Sequence, residues 1–264
     1  MSELTLVERR QKILDLLHQN NKVVVSQLSE MFGVSEVCIR NDLADLESKG
    51  HLSRVHGGAV AFSDSYYNMS LTQRSNTNRA SKEEIANTVA DMIHDNQSVM
   101  MNAGTTTLAV MKKLTEKKNL NIVTNSVVLA LEGAKYPNLH ITLLGGEVNA
   151  EYQFVYGTLT LSQLDEYKAD VLILSADGIE AENGITTYYD KEADICRKMI
   201  KQSSYVIAAL DCTKIGKVTY KKISDVDKID SVVTNVGALE TTVKQLKKHD
   251  VNVIVAKSNN DTKG

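Results

Sequence analysis

Residues 26–59 read SQLSEMFGVSEVCIRNDLADLESKGHLSRVHGGA, and this stretch decides how the first quarter of the chain folds. Leu28, Met31 and Phe32 fall at helical spacing, and Gly33 stops the run because it accepts the left-handed backbone of a helix end. Ser35 then offers an N-cap oxygen. Ile39, Leu43 and Leu46 recur at four and three residues, predicting a third helix with one buried stripe that ends at Gly50. Glu36, Cys38, Arg40, Asn41 and Asp45 occupy its other faces. Two short helices joined by a Gly-containing turn, the second carrying polar residues outward, form the pattern of a helix-turn-helix. Leu52, Val55 and Val60 flank His56-Gly57-Gly58 as two short strands flank a hairpin turn, which is a wing. A helical interaction module shares the two helices, but it does not predict Arg54 and His56 gathered at a Gly-Gly turn.

Working outward, Leu6, Ile13, Leu14, Leu16 and Leu17 predict a first helix over 6–17, and Val23, Val24 and Val25 make a β-prone step. The winged unit is thus assigned to residues 1–61. Residues 62–78, rich in Ser, Asn, Thr and Tyr with weak periodicity, read as a linker. Beyond it a helical run at 81–93 leads into β-prone segments at 98–102, 121–124, 140–144, 171–175, 205–210, 231–234 and 251–255. Helical stretches at 108–114, 127–134, 190–202 and 238–248 lie between most of them. Alternating strand and helix predicts an α/β domain over 79–257 built on a largely parallel sheet, with 258–264 as a frayed, disordered tail.

Composition narrows the class. A chain of 264 residues exceeds the usual single domain of about 100–150. With 42% hydrophobic and 24% charged residues it reads as a soluble, folded protein. Cys38, Cys196 and Cys212 show no CxxC spacing and no His/Cys cluster, so no metal site, disulfide framework or cofactor is expected. The N-terminus lacks the apolar core of a signal peptide and no apolar run approaches about 18 residues, which points to a cytoplasmic protein without a membrane partner. The net charge of −3 gives no general support for nucleic-acid binding. Through Val60 the bases Arg9, Arg10, Lys12, Lys22, Arg40, Lys49 and Arg54 face a similar number of acids, so DNA binding requires the bases to share one face.

Ligands of open parallel sheets bind beyond the carboxyl ends of the strands, where helix N-termini aim N–H groups at an anion. The loop Asn102-Ala103-Gly104-Thr105-Thr106-Thr107 provides a glycine for close approach and three hydroxyls beside such a helix end, a composition suited to phosphate. Thr124-Asn125-Ser126, Gly145-Gly146 and Asp177-Gly178 converge on the same rim. Lys214 supplies a cation. Gly184-Ile185-Thr186-Thr187 is either a further hydroxyl-bearing loop or part of a β-turn. Asp177, Glu180 and Glu192 are carboxylates of the kind that serve as general acid and base, but no nucleophile or electrophile accompanies them, so no catalytic residue is assigned.

These residues resemble the DeoR family of bacterial regulators over most of the chain. In the N-terminal part the similarity rests on Glu8-Arg9-Arg10 with Ile13-Leu14, Val34-Ser35, Ile39-Arg40 before Asp42-Leu43, Leu46-Glu47, Gly50, Arg54 and His56-Gly57-Gly58-Ala59. In the C-terminal part it rests on Gly104-Thr105-Thr106-Thr107, Thr124-Asn125-Ser126, Leu144-Gly145-Gly146, Gly157, Asp177-Gly178-Ile179, Gly184-Ile185-Thr186-Thr187, Glu192-Ala193 and Lys214. The resemblance implies a C-terminal fold similar to ribose-5-phosphate isomerase, a phosphorylated sugar as effector, and repression of a carbohydrate-use operon. Cys38, Asn41 and Asn102 stand where many relatives carry Thr, Arg and Asp. The first two bear on base choice, since Asn pairs with adenine and Arg with guanine; the third removes a charge from the anion site.

The expectation is therefore a DNA-binding regulator and not an enzyme. Ser35, Glu36, Cys38, Arg40 and Asn41 are assigned to the major groove, and Arg9, Arg10, Arg54 and His56 to phosphates or the adjacent minor groove. Asn102, Gly104, Thr105, Thr106, Thr107, Thr124, Asn125, Ser126, Gly145, Gly146, Asp177, Glu180, Thr186, Glu192 and Lys214 are assigned to the effector. Symmetric operators imply a homo-oligomer, dimer or tetramer. Pentose, hexose and tagatose phosphates all stand open as the effector. The alternatives are an isomerase-like enzyme carrying an interaction domain and a regulator that senses no small molecule.

Overall fold

The computed structural model describes residues 5–20, 22–48, 52–61 and 71–257. The expected helix stop at Gly50, residues 62–70 of the expected linker and the expected tail at 258–264 lie outside the described residues. The chain folds as two compact units, residues 1–74 and 75–264.

The first unit runs α1 (Leu6–Asn20), β1 (Lys22–Val24), α2 (Val25–Phe32), α3 (Glu36–Ser48), β2 (Leu52–Val55) and β3 (Gly58–Ala61). Helix α4 (Leu71–Asn76) follows, within the expected linker. Gly33 ends α2 in the left-handed region (φ 66°), and Val34 N–H closes the cap on Ser29 O. Ser35 caps α3, its hydroxyl accepting from Cys38 N–H at 3.3 Å. The wing has a third strand that the sequence reading leaves as a mere β-prone step: β1 pairs antiparallel with β3, which pairs with β2. Gly58 permits this closeness, because a Cβ there would meet Val23 O at 2.1 Å. Ile13, Leu17, Leu28, Ile39, Leu43, Leu46 and Leu52 form one core between the helices and the wing.

The second unit opens with α5 (Arg79–Asp91) and then alternates strand and helix: β4 (Ser98–Met101), α6 (Thr105–Lys113), β5 (Leu120–Thr124), α7 (Val127–Gly133) and β6 (Leu139–Leu143). After a hairpin of β7 (Glu147–Asn149) and β8 (Phe154–Tyr156) come α8 (Thr158–Leu164) and β9 (Ala169–Leu174). A second hairpin, β10 (Gly178–Glu180) and β11 (Gly184–Thr187), leads to α9 (Asp190–Lys201) and β12 (Ser203–Ala209). The chain closes with β13 (Lys221–Ser224), β14 (Ser231–Thr234), α10 (Glu240–Lys248) and β15 (Asn252–Val255).

All seven expected strands enter one sheet in the order β6-β5-β4-β9-β12-β14-β15, every neighbouring pair parallel. Its central strands read as apolar runs, VLIL at 171–174 for example, because both faces are covered. Helices α5, α6 and α7 bury Ile85, Val89, Val110, Met111 and Leu129 on one face. Helices α8, α9 and α10 bury Leu164, Ile195, Met199 and Leu246 on the other. The order reverses between β4 and β9, since β4 leads to β5 on one side while β9 lies on the other; at such a switch point ligands of open parallel sheets bind beyond the carboxyl ends. Residues 184–187, read above as either a hydroxyl-bearing loop or part of a β-turn, are a strand in a separate antiparallel sheet, β10-β11-β13.

Candidate functional site

Helix α3 turns Glu36, Val37, Arg40 and Asn41 to solvent while Ile39, Leu43 and Leu46 are buried. Val37, absent from the sequence assignment, is 62% exposed and shares this stripe with Arg40 and Asn41. Helical spacing of the exposed positions was the signal that could have found it. Arg40 bonds Glu36 one turn back. Cys38 lies half-buried to one side. On the wing, Arg54 Nε sits 2.7 Å from Glu47 Oε2, and its N–H donates to Glu47 Oε1 at 2.8 Å. Burial pushes the Glu47 pKa up, but the bonds from Arg54 outweigh it and the net shift is downward. His56 is exposed in the turn, beside Gly57 at φ 76°.

Arg9 and Arg10 are placed differently from the rest. Arg9 is only 8% exposed, and its Nε donates to Asp42 Oδ2 at 2.6 Å. Arg10 Nε donates to Asp42 Oδ1 at 2.9 Å and its terminal nitrogen reaches Asp45. Both are struts between α1 and α3, and the Asp42 bond holds the Arg9 pKa above its ordinary value.

In the second unit the switch point gathers side chains from the ends of four strands adjacent in the sheet. Asn102, fully buried after β4, donates from Nδ2 to Ser175 O (2.9 Å) and accepts from Ser175 N–H (2.7 Å), tying β4 to β9. The same amide lies 3.3 Å from Glu192 Oε1 on α9. Glu192 Oε2 is 3.0 Å from the Thr187 hydroxyl, which is 3.1 Å from Asp177 Oδ2, and Asp177 Oδ1 is 4.0 Å from Lys214 Nζ. Thr187 has one proton to give, so the two carboxylates share it, and Asp177 Oδ2 also accepts from Tyr188 N–H at 2.9 Å. From the β5 side Asn125 Oδ1 accepts from Ala103 N–H at 3.1 Å. Gly104 lets the loop after β4 pack closely against Ser175, since a Cβ there would meet Ser175 Cβ at 2.5 Å. It is also the N-cap of α6 and supplies no side-chain oxygen. Among the described residues, Cys196 lies against Asn102, and burial pushes its thiol pKa well up, with Glu192 adding to the effect.

Not every assigned residue joins this row. Thr107 turns back onto Asn102 O and Gly104 O, while Thr105 and Thr106 are buried in the first turn of α6. Thr124 accepts from Ser126 N–H, and Ser126 caps α7 by accepting from Leu129 N–H. Gly145 is held by Gln163 and Thr160, and Gly146 (φ 150°) fits under Tyr156 O. Glu180 accepts from Glu182 N–H, Asn183 N–H and the Asn183 amide, closing the β10–β11 turn. Thr186 donates to Gly178 O and accepts from Thr219 N–H within the small sheet. Thr187, its neighbour on the opposite face of the strand, is the residue that reaches the carboxylates. Ser175 and Thr187 are the members that sequence reasoning left out.

The family model described as the DeoR C-terminal sensor domain matches residues 77–236, and the DeoR-like helix-turn-helix domain matches residues 9–65. The chain belongs to the DeoR family. It is 34% identical to the HTH-type transcriptional regulator GolR of Listeria innocua, over 86% of this chain and 90% of that one. It is 30% identical to a putative aga operon transcriptional repressor of Escherichia coli O157:H7, over 94% of this chain and 93% of the relative. The glycerol-3-phosphate regulon repressor of Escherichia coli K12 shares 29% identity over 92% of this chain and 96% of its own length. Among solved structures, ribose 5-phosphate isomerase A from Neisseria gonorrhoeae aligns over 54% of each chain at 14% identity with a TM-score of 0.38, a likeness that carries no argument about function. This DeoR-family chain shares both family domains with proteins named as transcriptional regulators and repressors, and none of its described helices is long and apolar enough to cross a membrane.

Proposed function

We propose that this DeoR-family chain is a repressor of a carbohydrate-use operon whose affinity for operator DNA is set by a phosphorylated sugar. One observation carries the sensing half. The N-terminus of α6, uncapped by any side chain, opens beside a row of carboxylate, hydroxyl and ammonium groups at the switch point of a parallel sheet. The N–H groups of a helix's first turn and the helix dipole favour an anion. Asp177 and Glu192 repel a phosphate but accept hydrogen bonds from sugar hydroxyls, while Lys214 offsets their charge. A ligand with one anionic end and several hydroxyls matches that division. Asn125, Gly104 and Thr105–Thr107 line the anion end; Gly145, Gly146, Thr124, Ser126, Glu180 and Thr186 support the loops around it.

For the DNA half, Ser35, Glu36, Val37, Arg40 and Asn41 face the major groove, with Cys38 at its margin and Arg54 and His56 on adjacent phosphates. Val37 offers a methyl contact for thymine. Arg9 and Arg10 act through Asp42 by fixing α3, not by touching DNA. The chain works as a homo-oligomer, dimer or tetramer, on a symmetric operator. Relatives named for the aga operon and the glycerol-3-phosphate regulon support this reading.

The test is thermal denaturation of the full chain with ribose 5-phosphate, fructose 1-phosphate, glucose 6-phosphate, tagatose 6-phosphate and glycerol 3-phosphate, each against its unphosphorylated parent. Any hit is then carried into an operator-binding titration. A phosphate-dependent rise in Tm that also changes operator affinity supports the reading; saturation at about 100 Kd gives about 2.7 kcal/mol. No shift with any phosphate, alongside intact operator binding, removes the effector and leaves the winged helix.

A further inference from the structure

A second buried polar cluster lies directly behind Lys214. The turn after β12 is one rigid piece: Asp211 Oδ1 accepts from Thr213 N–H at 3.1 Å and from the Thr213 hydroxyl, and Lys214 N–H closes on Asp211 O at 2.9 Å. Two bonds lead from this turn toward α5. Cys212 N–H donates to Asn235 Oδ1 at 2.8 Å, and Asn235 Nδ2 donates to the Ser81 hydroxyl at 3.1 Å. Asn78 Nδ2 lies 3.5 Å from Asp211 Oδ1. Asn78 stands at φ 52° as the N-cap of α5, and Lys82 Nζ donates to Thr77 O at 2.7 Å just beside it. Asp211, Asn235, Lys82 and Lys214 are each more than nine-tenths buried.

We propose that this cluster couples the effector row to the N-terminal end of the second unit: the position of Lys214 sets the hydrogen bonding of residues 77–82, where that unit begins. The proposal rests on the effector reading for its input, but the relay itself exists without a ligand. A buried polar group that loses its partner has no water to replace it, so a displaced turn must exchange whole bonds instead of loosening gradually. A cluster that exchanges whole bonds can hold two discrete arrangements, and such an element is one that two distant sites can both bias. Asp177 connects Lys214 to the carboxylate row at one end, and Ser81 and Asn78 receive the change at the other.

Amide hydrogen exchange on the full chain tests the relay. Lys214→Met perturbs the input, and Ser81→Ala with Asn78→Gly cuts the output; glycine keeps the left-handed backbone at 78, and Asn235 keeps its bonds to Cys212 N–H and Val236 O. Exchange at 79–86 is measured relative to 169–174, so that a global loss of stability cancels. Lys214→Met is expected to raise exchange at 79–86 about fivefold, the loss of roughly one hydrogen bond, and to do so by less than about twofold in the doubly cut chain. An unchanged α5, or an equal rise in both backgrounds, overturns the relay. If Lys214→Met does not fold, Lys214→Arg, which keeps the charge and changes the reach, takes its place under the same criteria. In a second arm, the panel sugar phosphate giving the largest wild-type Tm shift should bind the cut chain with unchanged Kd yet lose most of its effect on operator affinity; retention of that effect overturns the proposal. If no sugar phosphate binds the wild type, the effector reading fails and the exchange arm still decides the relay.

Discussion

Arg9 on α1 and Asp42 on α3 meet inside the DNA-binding unit, Nε to Oδ2 at 2.6 Å, with Asp42 only 2% exposed. Asp42 also accepts from Arg10, so one carboxylate fixes two cations of α1 against the recognition helix. Removing one partner of a buried pair costs about 3–5 kcal/mol, because the remaining charge stays buried. Asp42→Ala is expected to destabilise the first unit by about 3 kcal/mol and to abolish operator binding as a consequence. Calorimetry that resolves the two units checks it; an unchanged first transition would show that the pair is dispensable.

Arg40 differs in kind. It is half exposed and, among the described residues, paired with Glu36 one turn away, an arrangement worth about 0.3–0.5 kcal/mol. Arg40→Ala should leave Tm unchanged and weaken operator binding by about 1–3 kcal/mol, five- to 150-fold, if the side chain reads a base. Fluorescence anisotropy with a labelled operator measures this, and wild-type affinity would remove Arg40 from the interface.

Asn102 is held as an amide by its surroundings. Asn102→Asp would aim a carboxylate at Ser175 O and Glu192, losing two donor bonds at a cost of about 2 kcal/mol. In a unit of this size that lowers Tm by about 2–4 °C per kcal/mol. Glu192→Gln in the same chain should restore part of the loss by supplying a donor. A wild-type Tm for Asn102→Asp at pH 7 would contradict the clamp.

Burial pushes the Glu180 pKa up, but the Asn183 and Glu182 bonds outweigh it, so its pKa falls below its ordinary value on folding. A depressed carboxylate adds stability above its unfolded pKa and loses it as pH falls through the folded value. Glu180→Gln should therefore lower Tm by a few degrees at pH 7, and the difference from wild type should shrink below about pH 4. A gap that widens on acidification would reverse the assignment.

Burial pushes the Cys212 thiol up to about 11 and the Cys196 thiol well above its ordinary value. Iodoacetamide at pH 8 should label the half-buried Cys38 in the native protein, and Cys196 and Cys212 only after unfolding. Peptide mass mapping over time separates the three; Cys196 reacting as fast as Cys38 would mean that the switch point opens to solvent.

Much of the architecture is written in local pattern. The helical repeat of Ile39, Leu43 and Leu46, the Gly33 stop and the His56-Gly57-Gly58 turn specify the winged helix, because periodicity and backbone preference act within a few residues. The seven apolar strand segments specify a parallel sheet for the same reason: a strand buried on both faces must be apolar throughout. The loops at the strand ends follow from that order, so Asn102, Asn125, Asp177 and Lys214 are legible as neighbours on one rim.

Partnership is a different matter, and only the tertiary structure decided it. Arg9 and Arg10 look like exposed phosphate ligands until α1 is laid against Asp42, 33 residues away for Arg9. Thr186 and Thr187 are indistinguishable in sequence, yet strand alternation sends one into the small sheet and the other to Asp177 and Glu192. Glu180 looks like a third carboxylate of the site and is consumed by its own hairpin. Sequence pattern determines which face of an element is buried. The choice of partner for each buried polar group depends on how elements distant in the chain are brought together, and desolvation makes that choice binding once they meet.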